Sequence, residues 1–132
     1  MDTDIHMAVK DNDGQQVKAL ADEDTAAVNR IVPADGQAGI APLHIAARYG
    51  MIEMTALLYG LGADLEVRDE EHQRTTLGWA AYFGQAELAE LVIRFGANLS
   101  DRCNPLQIAI DNEHEDVVRI LQSYDPREET DG

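Results

Sequence analysis

Cysteine is all but absent from this chain of 132 residues, which carries only Cys103. No intrachain disulfide can form, no CxxC or Cys/His spacing suggests zinc, and a reducing interior is expected, with the cytoplasm as the compartment. No run of about 18 apolar residues occurs, which excludes a membrane-spanning helix. The opening stretch MDTDIHMAVKDND is acidic and polar where a secretion signal would be basic and then apolar, so a soluble, unexported chain is expected. Positive charge is scarce: 10 Lys and Arg stand against 25 Asp and Glu, for a net charge of −15. Phosphate backbones and anionic lipid are repelled by such a chain, so neither nucleic acid nor a membrane is expected as a partner. The acidity serves either solubility or the steering of a basic partner. Catalytic signatures are missing as well: there is no G-x-S-x-G, P-loop, G-x-G-x-x-G or H-E-x-x-H. Neither an enzyme nor a cofactor is expected.

What the chain has is repetition. One block returns four times, as DIHMAVKDN at Asp4, PLHIAARYG at Pro42, TLGWAAYFG at Thr76 and PLQIAIDNE at Pro105. Each copy is followed by a second apolar pattern: QQVKAL at Gln15, EMTALL at Glu53, ELAELV at Glu87 and EDVVRI at Glu115. In the second copy Pro42 suits the first helical position, because its missing N–H would be unpaired there anyway. Leu43, Ala46 and Ala47 form one apolar face, and Gly50 can take the positive φ that ends a short helix. Met54, Leu57, Leu58 and Leu61 then repeat with the spacing of a second amphipathic helix. Helices this short are marginal alone in water, so each unit needs stacked neighbours.

The recurring block resembles the ankyrin repeat, a unit of roughly 33 residues with the signature T-P-L-H-x-A. The tetrad stands here as Thr3-Asp4-Ile5-His6, Ala41-Pro42-Leu43-His44, Thr75-Thr76-Leu77-Gly78 and Asn104-Pro105-Leu106-Gln107. The resemblance implies an all-α solenoid of stacked helix-turn-helix units with short β-hairpin fingers. We expect one domain over residues 1–124, with repeats near 3–36, 37–70, 71–101 and 102–124, and a disordered acidic tail over 125–132. The equivalent alanines Ala8, Ala46, Ala80 and Ala109 are separated by 38, 34 and 29 residues, so the connectors shorten along the chain. The first, Val28 to Ala41, carries the hairpin-turn signal Asp35-Gly36. The second, Glu66 to Thr75, is highly charged, and the third, Ser100 to Asn104, is too short for a finger. His6 and His44 occupy the tetrad position, where the resemblance implies that they tie adjacent loops. Gly78 and Gln107 stand there in the other two repeats, so looser junctions are expected.

The resemblance further implies that the two residues after the paired small residues of each first helix line a concave groove. In the central and last repeats these are Arg48 and Tyr49, Tyr82 and Phe83, and Asp111 and Asn112. Exposed aromatics with a neighbouring arginine are typical interface anchors, and at least one of Tyr82 and Phe83 is expected to bind. Trp79 is expected to pack between the helix layers. The second finger adds Asp69, Glu70, Glu71 and His72, so the expected surface is an aromatic centre with an acidic rim on repeats two and three. The function expected is a non-catalytic, monomeric protein-interaction module, in its sharper form an acidic inhibitor or immunity protein covering a basic enzyme site. The alternative is a metal-dependent enzyme or cation-binding protein centred on His114 and its neighbouring carboxylates. If the charge steers a basic partner, the association rate falls as ionic strength rises; a flat rate measured by stopped flow would assign the acidity to solubility.

Overall fold

The computed structural model describes residues 4–124; Thr3 of the first tetrad and the expected tail over 125–132 lie outside the described residues. Eight short helices form four pairs: α1 (Ile5–Lys10) with α2 (Gly14–Glu23), α3 (Pro42–Tyr49) with α4 (Ile52–Gly60), α5 (Thr76–Phe83) with α6 (Ala86–Arg94), and α7 (Pro105–Asp111) with α8 (Glu115–Ser123). The first helices of successive pairs pack on one another, α1 on α3, α3 on α5 and α5 on α7, while α4, α6 and α8 form an outer row. Alanine makes that inner row possible. Ala46, Ala47, Ala80 and Ala81 are fully buried, and larger side chains would hold the helices apart. Leu43, Leu58, Leu77, Leu88 and Val117 fill the space between the rows.

Each turn between paired helices needs one residue with positive φ. Gly50 and Gly84 supply it at +67° and +72° in the central repeats, while Asn12 and Glu113 take +58° and +59° in the outer two. A side chain in that region costs roughly 1 kcal/mol, tolerable for Asn and less so for Glu. Helix starts are capped by local side chains: Asp4 accepts from Met7 N at 2.9 Å, Thr75 from Gly78 N at 3.3 Å and Asn104 from Gln107 N at 3.2 Å.

Of the two longer connectors only the first forms a strand pair. The first forms a hairpin, β1 (Val32–Ala34) against β2 (Gln37–Ile40), around Asp35 and Gly36 at φ +54° and +75°. Two consecutive left-handed residues match the twist of the flanking strands. The second connector has no strand. It wraps around Asp69, whose carboxylate accepts from His72 N at 2.8 Å, Arg74 N at 2.7 Å and the Trp79 indole at 3.2 Å. The sequence reading of Asp69 as part of an exposed rim is thereby corrected, since the residue is only 2% exposed and its oxygens are used inside the finger. Burial pushes its pKa up, but these N–H donors outweigh burial and hold the carboxyl below its ordinary value.

Histidines join the loops. His6 Nε2 lies 2.7 Å from the Ile40 carbonyl, and His44 Nε2 lies 3.1 Å from the Val67 carbonyl. His44 Nδ1 also accepts from Ala41 N at 2.9 Å, so its ring is a neutral tautomer with Nε2 protonated and donating. At Gly78 the expected looseness is not found. A Cβ there would come within 3.0 Å of Cys103 Sγ, and the junction is closed by a two-pronged Arg68–Asp101 pair, with Arg68 Nη1 3.0 Å from Asp101 Oδ2. Asp101 is itself buried and also caps Cys103 N.

Burial pushes the His44 pKa down to about 4 and lowers that of His6. A buried neutral histidine binds fewer protons than the unfolded chain, so its stabilisation is complete above pH 6.5 and is lost as pH falls towards 4. For His44 the loss is on the order of 3 kcal/mol. Urea titrations should show this slope, reduced in His44→Gln; an unchanged slope would place the proton elsewhere. Asp69→Ala should destabilise the fold by about 2–3 kcal/mol, because the Trp79 indole and two finger amides lose their acceptor. A change in the urea midpoint within error would contradict that accounting.

Candidate functional site

Arg48 near the end of α3 and Tyr82 and Phe83 at the end of α5 meet the two fingers at one place. A cleft of about 300 Å³ opens there, lined by Arg48 on α3, Trp79, Tyr82 and Phe83 on α5, Gln37 on β2, and His72 and Arg74 on the second finger. Four of these, Arg48, His72, Tyr82 and Phe83, are residues that the sequence nominates. Consecutive helical positions point Tyr82 and Phe83 differently, with Tyr82 39% exposed and Phe83 partly buried against the core. Their rings meet edge to face at 4.9 Å.

Other nominated residues do different work. Tyr49 is exposed but does not line the cleft; its hydroxyl donates to Asp35 Oδ2 at 2.8 Å. Glu70 pairs with the first finger, its N–H donating to the Gly39 carbonyl at 2.9 Å and its carboxylate accepting from Gly39 N at 3.2 Å. Glu71 is exposed beside it. Asp111 and Asn112 sit at the end of α7, outside the cleft lining, where Asp111 accepts from Gln107 at 2.8 Å and Asn112 donates to the Ile108 carbonyl at 2.8 Å. The expected acidic rim is therefore reduced, around the cleft, to Glu70 and Glu71.

Three contributors escape the sequence reading. Trp79 is buried in the core and also reaches the second finger, its indole bonded to Asp69 and its ring stacked on His44 at 5.1 Å and near Phe83 at 5.7 Å. Arg74 turns its guanidinium over the Tyr82 ring, 4.6 Å from the centroid. Asp35, at the hairpin tip, gathers Lys10 at 2.6 Å, Arg48 at 3.1 Å and Tyr49, and so clamps the first finger across the ends of α1 and α3. Burial raises the Asp35 pKa, but the Lys10 and Tyr49 hydrogen bonds and the Arg48 charge outweigh it, leaving the carboxyl below its usual value. The hairpin signal at Asp35-Gly36 locates the turn; only the packing of the finger onto α3 reveals the clamp.

The region around His114 is built differently. His114 Nε2 lies 2.9 Å from the Tyr82 carbonyl, and its ring covers Gly84, where a Cβ would sit 2.7 Å from Nδ1. The ring joins the third and fourth repeats. Among the described residues no group of three or more His, Cys, Asp or Glu is placed to hold a metal ion, and no helix is long and apolar enough to cross a membrane.

A family model described as ankyrin repeats, in three copies, matches residues 43–130. The mouse (Mus musculus) and rat (Rattus norvegicus) ankyrin repeat and SAM domain-containing protein 6 are each 32% identical over 126 residues, covering 91% of this chain and 14% of theirs. The E3 ubiquitin-protein ligase Ufd4 of Drosophila melanogaster is 28% identical over 123 residues, covering 83% of this chain and 4% of its own length. The chain thus spans a small part of the relatives it matches, and their whole-protein activities are properties of those proteins. With the family model matching well over half of its residues, the chain belongs to the ankyrin-repeat family, whose repeats generally mediate protein–protein interaction and are typically non-catalytic.

Proposed function

We propose that this chain is a docking module that holds a segment of another protein in the cleft between the second and third repeats and their fingers. The observation that carries this reading is the convergence of Arg48, His72, Tyr82 and Phe83 from three separate elements on one cleft. Tyr and Arg side chains are the types most enriched among residues that dominate binding energy, and the half-open aromatic floor offers apolar area without a loss of many rotamers. The net charge of −15 supports a partner of positive overall charge, drawn in over distances beyond single contacts. The narrower form, an acidic inhibitor covering a basic enzyme site, draws no support from the cleft, whose lining includes no carboxylate. The cation-site alternative at His114 draws none either, since that ring is engaged with Tyr82 and Gly84.

Affinity capture with the full chain, compared with the Tyr82→Ala/Phe83→Ala double variant, tests the face. A binder recovered with wild type should fall by about tenfold or more with the variant, as expected for loss of two interface anchors. Circular dichroism melting of both proteins separates this from unfolding, and recovery at wild-type levels from a folded variant would move the binding surface elsewhere.

A further inference from the structure

The charge of the cleft is opposite to that of the chain. Acidic residues outnumber basic ones by 25 to 10 overall, yet the cleft is lined by two arginines and a histidine with no Asp or Glu among them. Among the finger carboxylates Glu70 is tied to Gly39 N and Glu71 faces solvent, while two others are engaged by the protein's own donors. Asp69 spends its oxygens on three N–H donors beneath the second finger, and Asp35 is held by Lys10, Arg48 and Tyr49 at the tip of the first. Arg48 is thus partly neutralised. Arg74 is not: among the described residues its guanidinium has no carboxylate partner, and it lies over the Tyr82 ring, 4.6 Å from the centroid. A stacked guanidinium is held in orientation by its face while its N–H edge stays free, the arrangement that receives a carboxylate through two parallel hydrogen bonds.

From this juxtaposition of an unpaired, stacked Arg74 with Arg48 and the Phe83 and Trp79 rings, we infer that the cleft receives a single Asp or Glu side chain of the partner, next to an apolar residue that packs on the aromatic floor. This deepens, and rests on, the docking reading above. Arg74, the lining arginine without a carboxylate partner among the described residues, matches one carboxylate. A phosphate, with up to two charges, or a run of acidic residues meets the repulsion of the whole acidic chain. The partner segment is therefore neutral or basic around one acidic anchor. The long-range field selects the segment by its overall charge, and the cleft selects one residue within it.

The test uses the full chain and displayed random peptides. Peptides selected on the wild type are synthesised and titrated while following the fluorescence of Trp79, the only tryptophan. The selected peptides should share one Asp or Glu beside an aliphatic or aromatic residue. Changing that acid to its amide, or Arg74→Gln in the protein, should weaken binding roughly tenfold to hundredfold. The two changes together should cost little more than either alone, a coupling that a merely structural role for Arg74 would not give. Arg74→Lys should restore part of the affinity, since it keeps the charge and loses the fork. Peptides that lack an acid, bind Arg74→Gln normally and fail with Tyr82→Ala would overturn the anchor while leaving the docking face intact. Tighter binding of a phosphoserine in place of the acid would overturn the carboxylate as ligand. Selection of no peptide that depends on either Tyr82 or Arg74 would overturn the docking reading and the anchor with it.

Discussion

Helices of six to ten residues hold their shape in water only when their apolar faces are covered, and in this chain nothing but the next repeat can cover them. Everything else follows from that constraint. The inner helices must approach closely, so their facing positions are alanine, and the alanine row in turn brings the ends of α3 and α5 side by side. Residues at those ends, Arg48 and Tyr49 on one helix and Tyr82 and Phe83 on the other, become neighbours across a repeat boundary although 34 positions separate their equivalents. A cleft at that boundary is a consequence of stacking.

Stacking alone would leave the loops free to slide, and polar side chains prevent it by chemistry that changes along the stack. His6 and His44 reach the carbonyls of the next connector as neutral rings, whereas the third junction uses the charged Arg68–Asp101 pair. The exchange is possible because Gly78 vacates the histidine position and Cys103 fills it. The fourth repeat is joined through His114 and the Tyr82 carbonyl. The three histidines each reach a backbone carbonyl, whereas Arg68 and Asp101 join side chain to side chain, so quite different residues tie neighbouring repeats.

Asp69 connects this scaffold to the proposed function. By accepting from the finger backbone and from Trp79, it holds the indole against His44 and Phe83 and sets the backbone from which Arg74 turns onto Tyr82. Its charge is consumed in doing so. An acidic protein can therefore present a cationic, aromatic cleft, because Asp69 is consumed inside the finger and no carboxylate is among the residues that line the cleft.

The periodicity of the blocks, the turn glycines and prolines, and the tetrad histidines were enough to determine the repeat architecture, since each reports a local requirement: a helix period, a left-handed φ, a capped start. The nomination of Arg48, Tyr82 and Phe83 was also legible, because groove positions recur with the repeat, and that of His72 followed from its place in the second connector. What only tertiary structure decided was the direction in which charges point. Asp69 and Glu71 lie two positions apart in the same acidic connector, yet one is buried against Trp79 and the other faces solvent. Arg74 carries no sequence mark distinguishing it from Arg68, yet one stacks over Tyr82 and the other closes the next junction. Connector backbones have no fixed period, so the facing of their side chains is set by contacts with neighbouring repeats, which sequence spacing does not encode.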